Sequence, residues 1–520
     1  MSHDERVLNL GLRYLELKEF KKAEAAFRQG LHARPDRLEL LNNLGSALIG
    51  QGRAVEAQEV LRQALAKSPD HPVVLRNLAD ALRRAGDVAA AEAHYRKAVA
   101  VAPRAPVSHY QLGFFLEAER RYEEALAAFR EALRLKPAYA DAHNMAGVAL
   151  LKLGRLEEAL GQLRQALRGQ PSSALFHANL GLCHRSRGEY EDALAAFDKA
   201  IELRADYADA HFGRALIHLL LGDFERGWRE FEWRLQTADF SGIRKLPVPR
   251  WEGADLRGKT IFVYAEQGYG DTIQFFRYLR LLRGRNPAKI VFCCDEVLRD
   301  LFAGIPDYDA FTTRVQPPAD ASCHIPLMSL PGLFGTRTGT VPADVPYLRV
   351  APALVERWRE RLGRAPGRRI GIAWAGRPTH PNDYSRSCPV REFLPLFDAF
   401  PHFDFVSLQV GKASGLVQKV AETRSLVDFS PEIRNFTDTA AIIENLDLVI
   451  TVDTVVAHLA GALGKPVWVL LNFDPDWRWL RKEETTAWYP TMRLFRQPRP
   501  GDWRAIMDAV RGRLSEGGWP

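Results

Sequence analysis

ADAHNMAGVALLKLGRLEEALGQLRQALRGQPSS, residues 140–173, is one period of a repeat. Its proline, Pro171, is the last of five, Pro35, Pro69, Pro103, Pro137 and Pro171, each 34 residues after the one before. With the proline at position 32, position 8 reads Gly11, Gly45, Ala79, Gly113, Gly147 and Gly181. Position 20 reads Ala23, Ala57, Ala91, Ala125, Ala159 and Ala193, followed four residues later by Phe27, Leu61, Tyr95, Phe129, Leu163 and Phe197. Small residues at two fixed places let a pair of antiparallel helices approach, the large residue fills the gap between them, and the proline ends the second helix.

This spacing is the tetratricopeptide (TPR) signature, so residues 4–236 are expected to form an α-helical solenoid of stacked repeats. The sixth unit has Ala205 in place of its proline. The seventh, near Ala208–Arg234, carries Gly227 and Arg234 where alanines belong, and its bulky GWREFEWRL helix reads as a cap or junction. Position 6 of the first helix holds Asn9, Asn43, Asn77 and Asn179, with Gln111 and Met145 between. That position faces the concave groove in the usual stacking. A carboxamide both donates and accepts, so it can hold a peptide backbone irrespective of sequence. The plainer reading is that asparagine simply suits this position of the repeat.

At 520 residues the chain is too long for one core. A 47% hydrophobic and 26% charged composition is globular, and the net charge of +7 (71 basic against 64 acidic) suits anionic ligands. Without a concentrated basic arm, nucleic acid is not an expected partner. Cys183, Cys293, Cys294, Cys323 and Cys388 are odd in number and never spaced CxxC, which supports neither a zinc site nor a disulfide framework and fits a reducing compartment. No apolar tract is long enough to span a membrane, the first residues do not read as a signal peptide, and the expected location is the cytoplasm.

After Gln236 the period stops. Residues 237–258 read as a linker or packing arm, and strand–helix alternation follows in two blocks, 259–365 and 366–520. The strands read are TIFVYAE (Thr260–Glu266), KIVFCC (Lys289–Cys294), SCHIPLM, RIGIAW (Arg369–Trp374), FDFVSLQ (Phe403–Gln409), LDLVIT (Leu446–Thr451) and PVWVLL (Pro466–Leu471). Helices are expected near Asp271–Arg283, Arg391–Phe400, Ala413–Thr423, Thr437–Glu444 and Thr454–Leu463. Two doubly wound parallel-sheet domains result, and in such folds ligands bind beyond the carboxyl ends of the strands.

Three loops after strands carry polar residues. In AEQGYGDTIQFFRY (Ala265–Tyr278), Gly268 and Gly270 permit a tight turn and Asp271 falls at a helix start, to cap it or to face a cleft. LVITVDTVVAHLAGALGKP (Leu448–Pro466) opens a helix at Asp453–Thr454, whose free N–H groups suit a pyrophosphate, with His458 one turn in. AWAGRPTHPNDYSRSCP (Ala373–Pro389) is a long loop presenting His380, Asn382, Asp383, Arg386 and Ser387, where a guanidinium matches phosphate. Taken singly, each has a bland reading: a capped helix, a buried structural histidine, a salt-bridged surface arginine.

Together the Gly–Asp turn and VDTxxAHLAGALGKPVWxLL resemble the heptosyltransferase-type GT-B glycosyltransferases. The stretches GDFERGWREFEWR, WAGRPTHPNDYSRS, DPDWRWL and WYPTMRLFRQPRPGDW are similar to a bacterial group that joins this module to TPRs. O-GlcNAc transferase and the bacterial flagellin glycosyltransferases have a similar architecture. The resemblance implies a GT-B unit of two Rossmann-like domains, acceptor side first and nucleotide-sugar side second. It implies Asp271 as general base, Arg386 on phosphate, Asp453 and Thr454 on donor sugar and phosphates, and Gln409 near the nucleoside, with Gly268, Gly270 and His458 completing the donor site. Where that family has lysine followed by Trp-Pro, this chain has Arg386 followed by Ser-Cys-Pro, so the donor sugar (hexosyl, heptosyl or nonulosonyl) stays open.

The expected activity is transfer of a sugar from a nucleotide-sugar to a hydroxyl of a protein held in the TPR groove, with no cofactor and no metal. Asp474 and Asp476 have DxD spacing but sit in a tryptophan-rich segment that reads as structural. Two alternatives remain: an interaction scaffold without catalysis, and transfer to envelope glycans.

Overall fold

The computed structural model describes residues 3–238, 246–363, 367–378, 382–411 and 426–517. The expected helix 413–423, His380 and part of the 237–258 linker lie outside the described residues. The chain divides into two compact units, Met1–Leu180 and Gly181–Pro520.

The first unit is a TPR solenoid of helical hairpins, beginning His3–Glu16 with Phe20–Ala33 and repeating through Ala140–Lys152 with Leu156–Gly169. Its packing follows the repeat. A methyl group on Gly45 would stand 2.6 Å from Leu61, and one on Gly113 2.7 Å from Phe129, so only glycine admits the large partner. The position-20 alanines from Ala23 to Ala159 have no exposed surface. A second periodic contact escaped the sequence reading. His109, His143 and His177, all at position 4, place Nε2 within 2.8–2.9 Å of the carbonyl oxygens of Pro103, Pro137 and Pro171. Each ring ties a helix to the turn that precedes it.

The second unit starts with the last hairpins, Tyr190–Leu203 following the helix Ala174–Ser186, then Ala208–Leu220 with Phe224–Phe231. His211 repeats the histidine contact on Ala205, 3.0 Å away, although the proline is gone. Two sheets follow. The first contains β1 (Thr260–Tyr264), β2 (Lys289–Cys293), β3 (Ala310–Thr312) and β4 (Ala321–Pro326), in the order β3-β2-β1-β4 and parallel throughout. Pro249–Trp251 lie along the β4 edge: Trp251 N–H donates to the His324 carbonyl at 2.8 Å, and His324 N–H to that of Pro249 at 3.0 Å. This part of the segment is therefore a packing arm.

The second sheet contains β5 (Arg369–Ala373), β6 (Asp404–Ser407), β7 (Leu426–Asp428), β8 (Leu448–Val452), β9 (Val467–Leu471), β10 (Thr485–Thr486) and β11 (Tyr489–Arg496). Its order is β10-β11-β9-β8-β5-β6-β7, parallel except for β10 against β11. Counted along the chain, the six parallel strands run 3-2-1-4-5-6, the order of a doubly wound α/β sheet. β1, β8 and β9 are buried at every residue, as strands covered on both faces must be. The order reverses between β1 and β4 in one sheet and between β5 and β8 in the other. The three polar loops follow β1, β5 and β8, at these two switch points.

Candidate active site at the ends of β1, β5 and β8

The helix Tyr269–Phe276 begins earlier than expected, with Gly268 as its N-cap. Asp271 is thus the third helical residue and not the cap. Its Oδ2 accepts the Gly268 N–H at 3.0 Å, satisfying one of the open donors of a helix start. Its Oδ1 accepts from the guanidinium of Arg478. Burial raises the Asp271 carboxyl above the usual carboxylate range, while Arg478 pulls it down.

Gly270 lets the helices of the two sheets meet closely. A methyl group there would lie 2.7 Å from Cδ2 of His458, on the helix Val455–Ala462 that packs against Tyr269–Phe276. His458 is buried, its Nδ1 stands 3.1 Å from the Tyr489 hydroxyl, and its ring stacks on Trp479. Burial pushes its titration down to about 3, with the Arg478 charge adding to the effect, so the ring is neutral at physiological pH.

Thr454 is the N-cap of Val455–Ala462. Its Oγ1 accepts the Val456 N–H at 3.3 Å and lies 3.2 Å from that of Thr451. Asp453, just before it, is pushed up to about 6 by burial and by the neighbouring Asp476 carboxylate, against the pull of Arg386 and Arg478.

Arg386 closes the short helix Asp383–Arg386 inside the loop after β5. The loop folds on itself. Ser387 Oγ donates to Asp383 at 2.8 Å and accepts the Gly376 N–H at 3.0 Å, and a methyl group on Gly376 would meet the Arg386 guanidinium at 2.7 Å. Asp383 is 3.9 Å from Arg386 Nε, too far for a hydrogen bond, and that nitrogen is buried without a partner. Arg386 acts electrostatically on both Asp271 and Asp453.

Gln409 is fully engaged by backbone. Its Oε1 accepts the N–H groups of Trp374 (3.1 Å) and Ala375 (2.9 Å), and its Nε2 donates to the Ala375 carbonyl at 3.1 Å. It locks the end of β5, the base of the Arg386 loop.

The residue that sequence reasoning passed over is Arg478. Besides Asp271 it donates from Nη1 to Asp476 at 2.7 Å and from Nε to Gln274 Oε1 at 2.5 Å, and it lies against the Trp477 and Phe275 rings. Asp476 caps the short turn Trp477–Trp479 and is a member of this cluster. Asp474 points elsewhere, pairing with Arg185 at 3.4 Å. The available signal was an Asp-Trp-Arg-Trp run: an arginine among tryptophans with a carboxylate two residues before it.

GWREFEWRL is a junction. Trp228 and Phe231 pack edge-on against Trp477, and the Trp228 indole donates to the Thr336 carbonyl at 2.9 Å. Arg234, with no exposed surface, reaches Glu266 at 2.6 Å and Ser329 at 2.8 Å. Glu266 is equally buried and precedes the Gly268 turn, so the last repeat braces the loop carrying Asp271. Among the described residues, His184, Glu189 and Asp192 bring possible ligand atoms together, but Glu189 is already paired with Arg187 at 2.7 Å and lies 2.6 Å from His184 Nδ1.

In the solenoid the position-6 asparagines are partly committed to structure. Asn77 Nδ2 donates to Asn42 and Asn179 Nδ2 to Asn144, each at 2.8 Å and 35 residues apart. Asn43 Oδ1 accepts weakly from Asn42 at 3.4 Å, while Asn9 is exposed. The Asn77–Asn42 and Asn179–Asn144 pairs link a repeat to the one before.

Comparison with known proteins agrees on the repeats. Family models described as tetratricopeptide repeat match residues 36–104, 76–140, 108–174, 144–208 and 179–227. A curated relative, Protein FlbA of Caulobacter vibrioides, is 27% identical over 315 residues, 56% of this chain and 52% of its own length. The chain thus spans about half the length of the curated relative it matches. Among solved structures, a tetratricopeptide repeat protein from Parabacteroides merdae is similar at 18% identity, with a TM-score of 0.38, over 45% of this chain and 93% of its own. YrrB, described as a TPR protein with an unusual peptide-binding site, is similar at 22% identity, with a TM-score of 0.29, over 36% of this chain and 95% of its own. Among the described residues no helix is long and apolar enough to cross a membrane.

Proposed function

We propose that the chain is a TPR-linked GT-B glycosyltransferase that moves a sugar from a nucleotide-sugar to a hydroxyl of a protein held by the solenoid. One observation carries the reading: Arg386, after β5, acts electrostatically on both Asp271 after β1 and Asp453 after β8, residues far apart in sequence that stand at the switch points of two parallel sheets. That is where such folds bind ligands.

In this reading the acceptor oxygen bonds to the anomeric carbon as the bond from that carbon to the diphosphate breaks. Asp271 takes the hydroxyl proton, and the nucleoside diphosphate leaves with the bonding pair. Arg386, whose Nε has no partner, and the positive end of the helix that Thr454 caps stabilise the developing charge. The protein acceptor lies along the asparagines of the solenoid, a module suited to peptide binding.

The test is twofold. Calorimetry with ADP, UDP, GDP, CDP, dTDP and CMP should find one nucleotide that binds the full chain, more weakly to Arg386→Ala, with the difference shrinking as salt is added. Intact-mass measurement of candidate protein acceptors should then show transfer that EDTA leaves unchanged. Binding of none of the six, or a strict need for a divalent cation, refutes this reading.

The occupied oxygens of Asp271 favour a second reading, an interaction scaffold. Binding of a protein partner with no nucleotide affinity is its signature.

A further inference from the structure

Two buried arginines cross between the sheets, and they differ in what they bind. Arg277 donates to the carbonyls of Trp488 (2.5 Å) and Pro342 (2.9 Å) and to the Tyr347 hydroxyl (3.1 Å), between the Tyr347 and Tyr489 rings. Its hydrogen-bond partners are neutral, as a purely architectural strut requires. Arg478 has only 6% of its side chain exposed and uses all three nitrogens: Asp476 in its own turn, then Gln274 and Asp271 on the helix after β1. One carboxylate, Asp476, already balances its charge. The contact with Asp271 is a second one, and it falls on the proposed base.

We propose that Arg478 is the positioning residue of Asp271, holding the carboxylate's plane and its ionised state so that the oxygen shared with the Gly268 N–H faces the acceptor hydroxyl. This rests on the function proposed above. The geometry is over-determined. Oδ2 is tied to the helix start and Oδ1 to a guanidinium that Asp476, Gln274, Trp477 and Phe275 immobilise. A planar fork holds its donors in fixed directions toward two carboxylates and a carboxamide, whereas the donors of an ammonium rotate about a point charge. The charged groups facing Asp271 are Arg478, Asp476 and Arg386. Around Arg478 itself stand Asp453 and Asp476, with His458 neutral beside them. Arg478 is the cation in direct contact, so it carries most of what keeps the partly buried Asp271 charged.

The test reads Asp271 directly. Full-length protein labelled with ¹³C at aspartate side chains is titrated by NMR, and the Asp271 resonance is identified by its loss in Asp271→Asn. Arg478→Gln keeps a donor but removes the charge, and should raise the Asp271 midpoint by about 1–3 pH units. Arg478→Lys restores charge without the fork and should return the midpoint most of the way. The rising limb of the pH–transfer profile should move with the midpoint, while nucleotide affinity stays within a few-fold. A folded Arg478→Gln whose Asp271 midpoint is that of the parent overturns the proposal and leaves Arg478 a strut like Arg277. If Arg478→Gln does not fold, Asp476→Asn decides. Freeing Arg478 of its second carboxylate should lower the Asp271 midpoint, and no movement again overturns the proposal. The titration needs no transfer, so an inactive parent with a shifted midpoint counts against the enzyme reading alone.

Discussion

Arg478 donates to Asp271 across 207 residues of chain, joining the turn after β9 to the helix after β1. The contact makes the candidate base part of the structure that holds the two sheets together. Changes at either residue therefore read out in stability as well as in chemistry.

Asp271→Asn should lower transfer by about 10²–10⁴-fold, the usual contribution of a general base. It should also lower stability. Breaking a fully buried ion pair from one side costs about 3–5 kcal/mol; Asp271 is partly exposed and Asp476 still balances Arg478, so the loss should fall below that range. Transfer rate and thermal melting check the two parts, and a variant with parental activity would remove Asp271 from the reaction.

Asp453→Asn should stabilise the protein at neutral pH. Asp453 ordinarily titrates at 3.8 and is held up to about 6 here, so the folded chain binds this proton more tightly than the unfolded chain. Its contribution is fully present below 3.8 and is lost as pH rises through about 6. The gain in melting free energy for the variant should be about 1–3 kcal/mol above pH 7 and vanish near pH 3.5. Melting curves across that window decide, and an equal gain at both ends would exclude titration as the cause.

Arg234→Met should be among the most destabilising single changes in the second unit. It strands Glu266 without its cation where neither side chain has exposed surface, at about 3–5 kcal/mol. Pairing it with Glu266→Leu should recover most of the loss, since two apolar residues need no partners. Denaturant melts of parent, single and double variants give the comparison, and a double variant no better than the single would mean that Arg234 acts through Glu232 or Ser329.

Asn179→Ala should cost about 1–3 kcal/mol, because it takes a donor from Asn144, which is 2% exposed. Replacing Asn9, Asn43, Asn77 and Asn179 together should weaken a protein acceptor at least tenfold, each lost hydrogen bond being worth about 0.5–1.5 kcal/mol. Transfer to a small soluble acceptor should survive. Parental affinity for the full-length acceptor in the quadruple variant would assign these asparagines to repeat stacking alone.

The repeats were legible because a hairpin stacked on its own copies repeats its packing rule every 34 residues, as Gly45 on Leu61 and Gly113 on Phe129 show. β1, β5, β8 and β9 were legible because strands buried on both faces read as continuous apolar runs. β11 was not. Pro490, Arg493 and Arg496 interrupt it, and its burial alternates, because it lies next to the sheet's short antiparallel edge strand. Asp271, Asp453 and Thr454 could be picked out because they follow strands at glycine-rich or capped turns. Arg478 follows no strand directly. Its role comes from tertiary approach, Gly270 against His458, which no local pattern encodes.

The hairpins fall into two kinds. Those of the first unit spend their repeated spacing on each other. In the second unit Arg185 is committed to Asp474, Tyr190 to Arg481, Trp228 to Trp477 and Arg234 to Glu266. The former are interchangeable parts and the latter are fitted ones. Duplicating or deleting a whole period ahead of Gly181 leaves every fitted contact in place, so the length of the solenoid can be changed in steps of one repeat without disturbing the contacts around Asp271. The same edit after Gly181 removes a brace of the loop that holds Asp271.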